Sequence, residues 1–325
     1  MNTGRTDSAV VRELITRAPT RIDLGGGWTD VPPYCEREGG FVCNVAISRY
    51  ARVRLTDQVS QLGVDAADLS LVRAALKRTG VRHVSVELKN DFPIAAGLGG
   101  PSAASAALLS ALAAWCDEHR SRAEIAEEGR RIEVEELGIA GGRQDHYAAT
   151  HGGALALTFT TEVSIRRLSL TNKTREELPT RSILLYTGQS RISGDTITAV
   201  LDAYKRGDAR VVGALRRMRE IAKEMASALE HGDLDAVGSL LDEHWVHQRS
   251  LSPSIPTPRI DEIIARSRRA GALGAKAMGA SGGGCVLVMT PAGDTDRVRE
   301  AIRPLGEILD FQVDDTGVTI ESGER

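Results

Sequence analysis

Residues 93–105, PIAAGLGGPSAAS, set three glycines directly ahead of an alanine-rich apolar stretch. Gly97, Gly99 and Gly100 can turn their N–H groups inward at φ values closed to other residues. A helix beginning near Pro101 would aim its positive end at the same spot. The combination suits a polyphosphate, and Ser102 puts a hydroxyl where a phosphate-bound Mg2+ would sit. The same residues also suit a tight strand-to-helix turn without a ligand. Spelling excludes two common nucleotide loops. No Lys-Ser or Lys-Thr follows the last glycine, and the third glycine of a dinucleotide turn is replaced by Ser102.

Three further segments carry chemistry. In APTRIDLGGGWTD, residues 18–30, an arginine and two acids surround three glycines at the end of a predicted strand. An aspartate there could accept hydrogen bonds from vicinal hydroxyls, as on a sugar, and Arg21 could neutralise developing negative charge; a capped turn is the alternative. In residues 131–147, a charged helix ends at Gly138 and a glycine turn presents Asp145. Glu133, Glu135 and Glu136 read as a solvated face, one of which could turn inward to a metal. The turn KAMGASGGGC, residues 276–285, resembles an anion nest before a strand, because so many glycines are costly unless backbone approaches something closely. His146 and His151 read as structural, and His244 and His247, without a third ligand, as ordinary helix surface.

Composition narrows the function classes. The 325 residues, with a formal net charge of −3, argue for two domains and small ligands, with no nucleic acid and no membrane as partners. No long apolar run or leader is expected, the four cysteines form no C-x-x-C pair, and a cytoplasmic protein with reduced thiols is the expectation. A homodimer is left open.

The elements that must position these residues follow from period and punctuation. Strands are expected at 18–24, 41–47, 50–56, 81–88, 153–159, 163–170 and 183–187, with helices at 66–79, 101–116 and 122–137. The middle helix is apolar nearly all round and should be buried. A long helical region spans 194–271, then a glycine turn at 279–284 leads into a strand at 285–290, a helix and two short strands. A boundary near residue 180 divides a domain at 1–180 from one at 181–325.

In this order and spacing, RIDLGGGWTD, PIAAGLGGPSA, GGRQDHYAA and GASGGGC resemble motifs of the galactokinase, homoserine kinase, mevalonate kinase and phosphomevalonate kinase (GHMP) superfamily. Residues Trp28-Thr29-Asp30, Gly142-Arg143-Gln144-Asp145, Leu185-Tyr-Thr-Gly188 and Gly274-Ala-Lys276 resemble its sugar 1-kinase branch, which includes heptose 7-phosphate kinases and L-fucokinases. The resemblance implies an α+β fold of two domains: an N-terminal ATP-binding domain with a left-handed βαβ crossover and a ferredoxin-like C-terminal domain. It implies ATP and Mg2+ as cofactors, with ATP at Pro93, Gly97, Leu98, Gly99, Gly100, Ser102 and Ala103. Ser102 and Glu133 would hold the metal, Asp145 would be the catalytic aspartate, and Arg21 would stabilise charge.

The same resemblance places the sugar at Gly27, Trp28, Thr29, Asp30, Gly142, Arg143, Arg191, Gly279, Ser281 and Gly282. The implied reaction is phosphorylation of an anomeric hydroxyl, that of D-glycero-D-manno-heptose 7-phosphate first. L-fucose or another sugar is the alternative, and a non-catalytic sugar- or nucleotide-binding regulator a further one. Arg143, Arg191 and Arg249 are candidate clamps for a second phosphate. Two departures are expected to matter: Gly100-Pro101 stands where serines are usual, so restoring serine at Gly100 should tighten ATP, and Ser281 replaces a glycine.

Overall fold

The computed structural model describes residues 12–57, 62–139, 141–189 and 194–324. The chain alternates strands and helices in the order β1 (Glu13–Gly25), α1 (Tyr34–Glu38), β2 (Gly40–Thr56), β3 (Gly63–Val64), α2 (Leu69–Thr79), β4 (Ser85–Asn90) and α3 (Gly100–Trp115). It continues with α4 (Arg122–Arg131), a π-helical turn at Ile132–Glu136, α5 (Gln144–His151), β5 (Ala154–Phe159), β6 (Val163–Arg167), α6 (Asn172–Thr180) and β7 (Ser182–Tyr186). The rest is α7 (Gly194–Lys205), α8 (Ala209–His231), α9 (Leu234–Ser250), α10 (Pro258–Arg269), β8 (Gly274–Ala277), β9 (Cys285–Met289), α11 (Thr295–Ile302), β10 (Glu307–Ile308) and β11 (Thr319–Glu324).

The first sheet runs β11-β1-β2-β4-β3, and β2 also pairs with β5, which carries β6. The two strands expected at 41–47 and 50–56 are one. β2 pairs with β1 along nearly its whole length, giving its first half to β5 and its second half to β4 on the other side. An irregularity, where Pro19 opposes Tyr50 and Thr20 opposes Ile47, lets one strand bend between two partners, as a bulge does. Glycine punctuation did not mark that bend. β3 and β4 pair in parallel across α2, the βαβ element of this domain.

The second sheet has the order β10-β7-β9-β8, antiparallel throughout, so its own strands lie 4-1-3-2 as in a ferredoxin-like arrangement. β8 was not foreseen, because GAKA is short and small and its burial comes only from neighbours. β11 returns to the edge of the first sheet beside β1.

α3 is buried over eleven of its sixteen residues, packed with Leu14, Ala18, Val53 and Leu55 of the first sheet. Small alanine side chains let it sit close, which makes a rigid mount for the loop before it. Between the sheets, Ile22, Leu24, Cys43 and Val45 meet Leu184, Leu287 and the α8 residues Ile221 and Met225 in one core. Strand alternation turns Arg21 and Asp23 to the opposite side of β1 from Ile22 and Leu24, where both line a cleft. Among the described residues, no helix is long and apolar enough to cross a membrane.

Candidate active site

A cleft of about 370 Å³ opens where the glycine loop, β1, the π-helical turn, α5 and the 278–283 turn converge. Its size is in the range of small-molecule sites. Gly97 and Gly99 adopt left-handed φ values of +77° and +76°, and Gly99 caps α3. The loop is tied to β1 by backbone, Arg21 N–H donating to Leu98 O at 3.0 Å.

The glycines serve close approach between the two turns as well as to any ligand. A Cβ on Gly97 would lie 2.8 Å from Met278 O, one on Gly279 3.2 Å from Gly97, and one on Gly284 2.7 Å from Ala96 O. Cys285 N–H donates to Ala96 O at 2.8 Å. The two glycine turns therefore interlock.

Gly100 has its own reason. A Cβ there would meet the Phe92 ring at 2.6 Å, so serine is excluded while Phe92 keeps its place. Restoring serine at Gly100 therefore carries a steric cost that the sequence did not reveal.

Arg21, 4% exposed, donates through Nε at 2.8 Å to Asp145 Oδ1, with a second nitrogen 2.7 Å from the same oxygen. Its remaining nitrogen donates to Gly97 O at 2.7 Å. Asp145 stands in the first turn of α5, and Gly99 leaves room for it: a Cβ there would sit 3.1 Å from the carboxylate. One guanidinium thus joins the aspartate of residues 131–147 to the glycine loop of residues 93–105.

Asp30 is buried at 2% exposure, and its Oδ2 accepts Gln144 N–H at 3.1 Å. Gly142 is required beside it, since a Cβ would fall 1.8 Å from that oxygen. Burial pushes the Asp30 carboxyl up to about 6; the Gln144 bond opposes the shift, and the charges of Asp145 and Asp23 add to it. Trp28, at φ +80°, lines the same end.

Glu133 sits in the π-helical turn, made where Leu137 N–H reaches back to Ile132 O instead of one residue nearer. The continuous helix expected over 122–137 is interrupted there. Glu133 lines the cleft with Oε2 3.0 Å from His146 Nε2, while Glu135 and Glu136 pair with Arg78 and Lys77 of α2. Ser102 and Ser105, one helical turn apart on α3, are buried and line the same cleft.

Several expected residues are not brought to the cleft. Arg143 lies 3.9 Å from Glu127 and Arg249 pairs with Asp261 at 3.1 Å on an exposed face of α9, and neither lines the cleft. Arg191 lies outside the described residues. Thr29 bonds Gly26 O and Phe41 instead of facing the cleft, Gly282 N–H donates to Ile255 O, and neither these nor Ala103 lines it. Pro93, Gly97, Leu98, Gly99, Gly100, Gly27, Gly142, Gly279 and Ser281 do. Ser281 tolerates φ +67° with its hydroxyl accepting from Gln248 Nε2 at 3.1 Å.

His244 is corrected. It is fully buried, and its Nε2 accepts Gly26 N–H at 2.9 Å, holding the first glycine turn. Burial keeps its pKa well below the usual value, and Lys276 adds to that. Lys276 is also fully buried, donating to Asp23 O at 2.8 Å and lying 3.1 Å from Asp23 Oδ2.

Residues not singled out line the other end: Asp68, Leu71, Asn90, Phe92, Ile94, Leu137 and Ile139. Ile94 and Ile139 are exposed, and Asn90 Nδ2 donates to Asp68 Oδ2 at 2.8 Å. Their sequence signal is weak, since exposed isoleucines and an Asn-Asp pair 22 residues apart declare nothing until folded.

Comparison with known proteins bears on the family and the fold. Residues 67–153 match the GHMP kinases N terminal domain and residues 225–307 the GHMP kinases C terminal domain. The chain is 26% identical over 339 residues to D-glycero-alpha-D-manno-heptose 7-phosphate kinase of Campylobacter jejuni, covering 95% of this chain and 98% of that one. It is 25% identical to the bifunctional fucokinase/GDP-fucose pyrophosphorylase of Arabidopsis thaliana, covering 93% of this chain and 32% of that protein. In fold it is similar to a D-glycero-D-manno-heptose 1-phosphate kinase from Bacteriodes thetaiotaomicron, with a TM-score of 0.74, 22% identity and coverage of 97% and 100%. Lactococcus lactis galactokinase is similar at a TM-score of 0.70, 17% identity and coverage of 97% and 95%. Two family domains in order, around one cleft built from their shared glycine turns, identify the chain as a member of the GHMP kinases, a phosphotransferase that uses ATP.

Proposed function

We propose that the chain transfers the γ-phosphoryl group of ATP to the anomeric hydroxyl of a sugar. The observation that carries this reading is the Arg21–Asp145 pair at the junction of the glycine loop and the acid-lined end of the cleft. Asp145 would accept a hydrogen bond from the attacking hydroxyl and take its proton. Arg21, with its nitrogens already fixed on Asp145 and Gly97 O, would face the transferring group without reorganising. The loop N–H groups and the α3 N-terminus would hold the phosphates.

Mg2+ fits the donors present. Ser102 and Glu133 supply a hydroxyl and a carboxylate, both hard oxygen ligands, and no three His, Cys, Asp or Glu side chains gather among the described residues, as expected of an ion that takes its remaining ligands from phosphate and water. When bound, Mg2+ neutralises charge on the phosphate oxygens. The apolar end, with Leu71, Phe92, Ile94 and Ile139, would take the base.

D-glycero-D-manno-heptose 7-phosphate is the first acceptor, supported by the Campylobacter jejuni relative that matches along nearly the whole of both chains. One observation favours an unphosphorylated sugar such as L-fucose. Arg21 is the sole lysine or arginine among the described lining residues and is engaged with Asp145. A coupled ADP-release assay over heptose 7-phosphate, L-fucose, galactose and mannose separates the two: turnover of the phosphorylated sugar alone supports the first, and of neutral sugars alone the second. Asp145→Asn should lower kcat by about 10²-fold or more. A drop of less than about tenfold, ~1.4 kcal/mol, would refute the assigned role.

A further inference from the structure

Asp23 has no part in the reaction as described, yet its environment is built. It is 2% exposed and lines the cleft. Lys276 holds its Oδ2, while Oδ1 is buried with no hydrogen-bond partner among the described residues. Gly27 is shaped to it, since a Cβ there would fall 2.3 Å from Oδ2. A buried carboxylate oxygen without a donor is costly, and such orphans are rare unless a ligand or water completes them. Asp23 follows Arg21 by two residues on the same face of β1, about 7 Å along the strand, a span that one sugar ring with its hydroxyls bridges.

Asp30 lies close by, its neighbour across the Gly27 and Gln144 backbone. The Lys276 contact fixes one oxygen and leaves the other without a donor. A carboxylate paired with Lys276 accepts through its other oxygen, so the group that meets it carries an O–H or N–H and not a phosphate oxygen.

We propose that Asp23 Oδ1 accepts a hydrogen bond from a non-reacting hydroxyl of the acceptor, so that Asp23 and Asp30 each read one hydroxyl while the reacting one lies at Asp145. This rests on the reading of the acceptor as a sugar. The pairing makes Asp23 a specificity-determining residue. A sugar lacking the matching hydroxyl leaves the carboxylate oxygen unpaired and is rejected, as sites built to bond a hydroxyl reject analogues without it.

The test is a cycle between residue and ligand. Among heptose 7-phosphate, L-fucose, galactose and mannose, the best-used sugar is compared with its monodeoxy analogues on wild type and Asp23→Ala, which keeps no side-chain acceptor or donor. Wild type should lose at least tenfold in kcat/KM on a non-reacting deoxy position. Asp23→Ala should lose less than threefold on that analogue while keeping its ATP KM within threefold of wild type. If Asp23→Ala does not fold, Asp23→Leu with Lys276→Met removes both buried charges together. Full retention of every deoxy penalty in either variant overturns the proposal and leaves the kinase reading intact. Failure of wild type on every sugar overturns that reading, and this inference with it.

Discussion

Asp30 carries a stability cost set by its burial. Its carboxyl is carried up to about 6 from an ordinary value of 3.8, chiefly by burial. Between these values the folded state keeps a proton that the unfolded chain has lost, so stability falls as pH rises through that window. At pH 7 the full penalty is present, about 3 kcal/mol for a shift of that size. Asp30→Asn keeps an oxygen for Gln144 N–H and removes the charge. It should therefore stabilise the protein at pH 7 by up to about 3 kcal/mol, the gain shrinking toward pH 4, as urea unfolding at several pH values would show. The same variant should raise the acceptor KM. A gain independent of pH would mean that the carboxylate charge is not its source.

At the scale of elements, the phosphate-loop departure is explained by packing. Gly100 opens α3 against the Phe92 ring, which itself lines the apolar end of the cleft. Gly100→Ser alone should destabilise by about 1–3 kcal/mol through overpacking. In a Phe92→Ala background most of that steric cost should vanish, and the ATP affinity of the double variant relative to Phe92→Ala alone then reports the hydroxyl. Calorimetric titration of ATP into the three variants separates the effects; equal melting temperatures for wild type and Gly100→Ser would contradict the packing account. The π-helical turn is the other element that matters. It breaks the helix after α4 at the point where Glu133 meets His146 and the cleft.

Across the whole molecule, Lys276 joins the sheets. It rises from β8 of the second sheet to Asp23 and Leu24 of β1 in the first, buried completely on the way. Burial lowers its pKa and Asp23 opposes that shift. Lys276→Met would leave the Asp23 charge buried and unpaired, at an expected cost of about 3–5 kcal/mol. Lys276→Met with Asp23→Leu should recover much of it, since apolar replacement of a buried pair is often neutral. Equilibrium unfolding of the three proteins checks this; additive losses would show that the two side chains do not act as a pair.

Much of the fold and site was legible before folding, and the divisions have physical causes. The glycine turns, the apolar α3 and the ends of β1 are local: backbone freedom, composition and period suffice to mark them. RIDLGGGWTD and GGRQDHYAA declare Arg21, Asp30 and Asp145 as candidates, and the tertiary structure brings these to one cleft. What only packing decided is which polar groups lose water and which partners they find. Nothing in the spacing of His244 tells a surface histidine from one buried on Gly26 N–H, and nothing near Gly100 announces Phe92. Arginines at 143 and 249 suited a phosphate on chemistry alone, but folding leaves both outside the lining of the cleft. The sequence by itself pointed to the class of chemistry through motifs that resemble those of the GHMP kinases, because glycine turns, acids and an arginine taken singly also suit capped turns. Tertiary structure decided the charge and shape of the acid-lined end of the cleft, because burial and pairing belong to residues far apart in the chain.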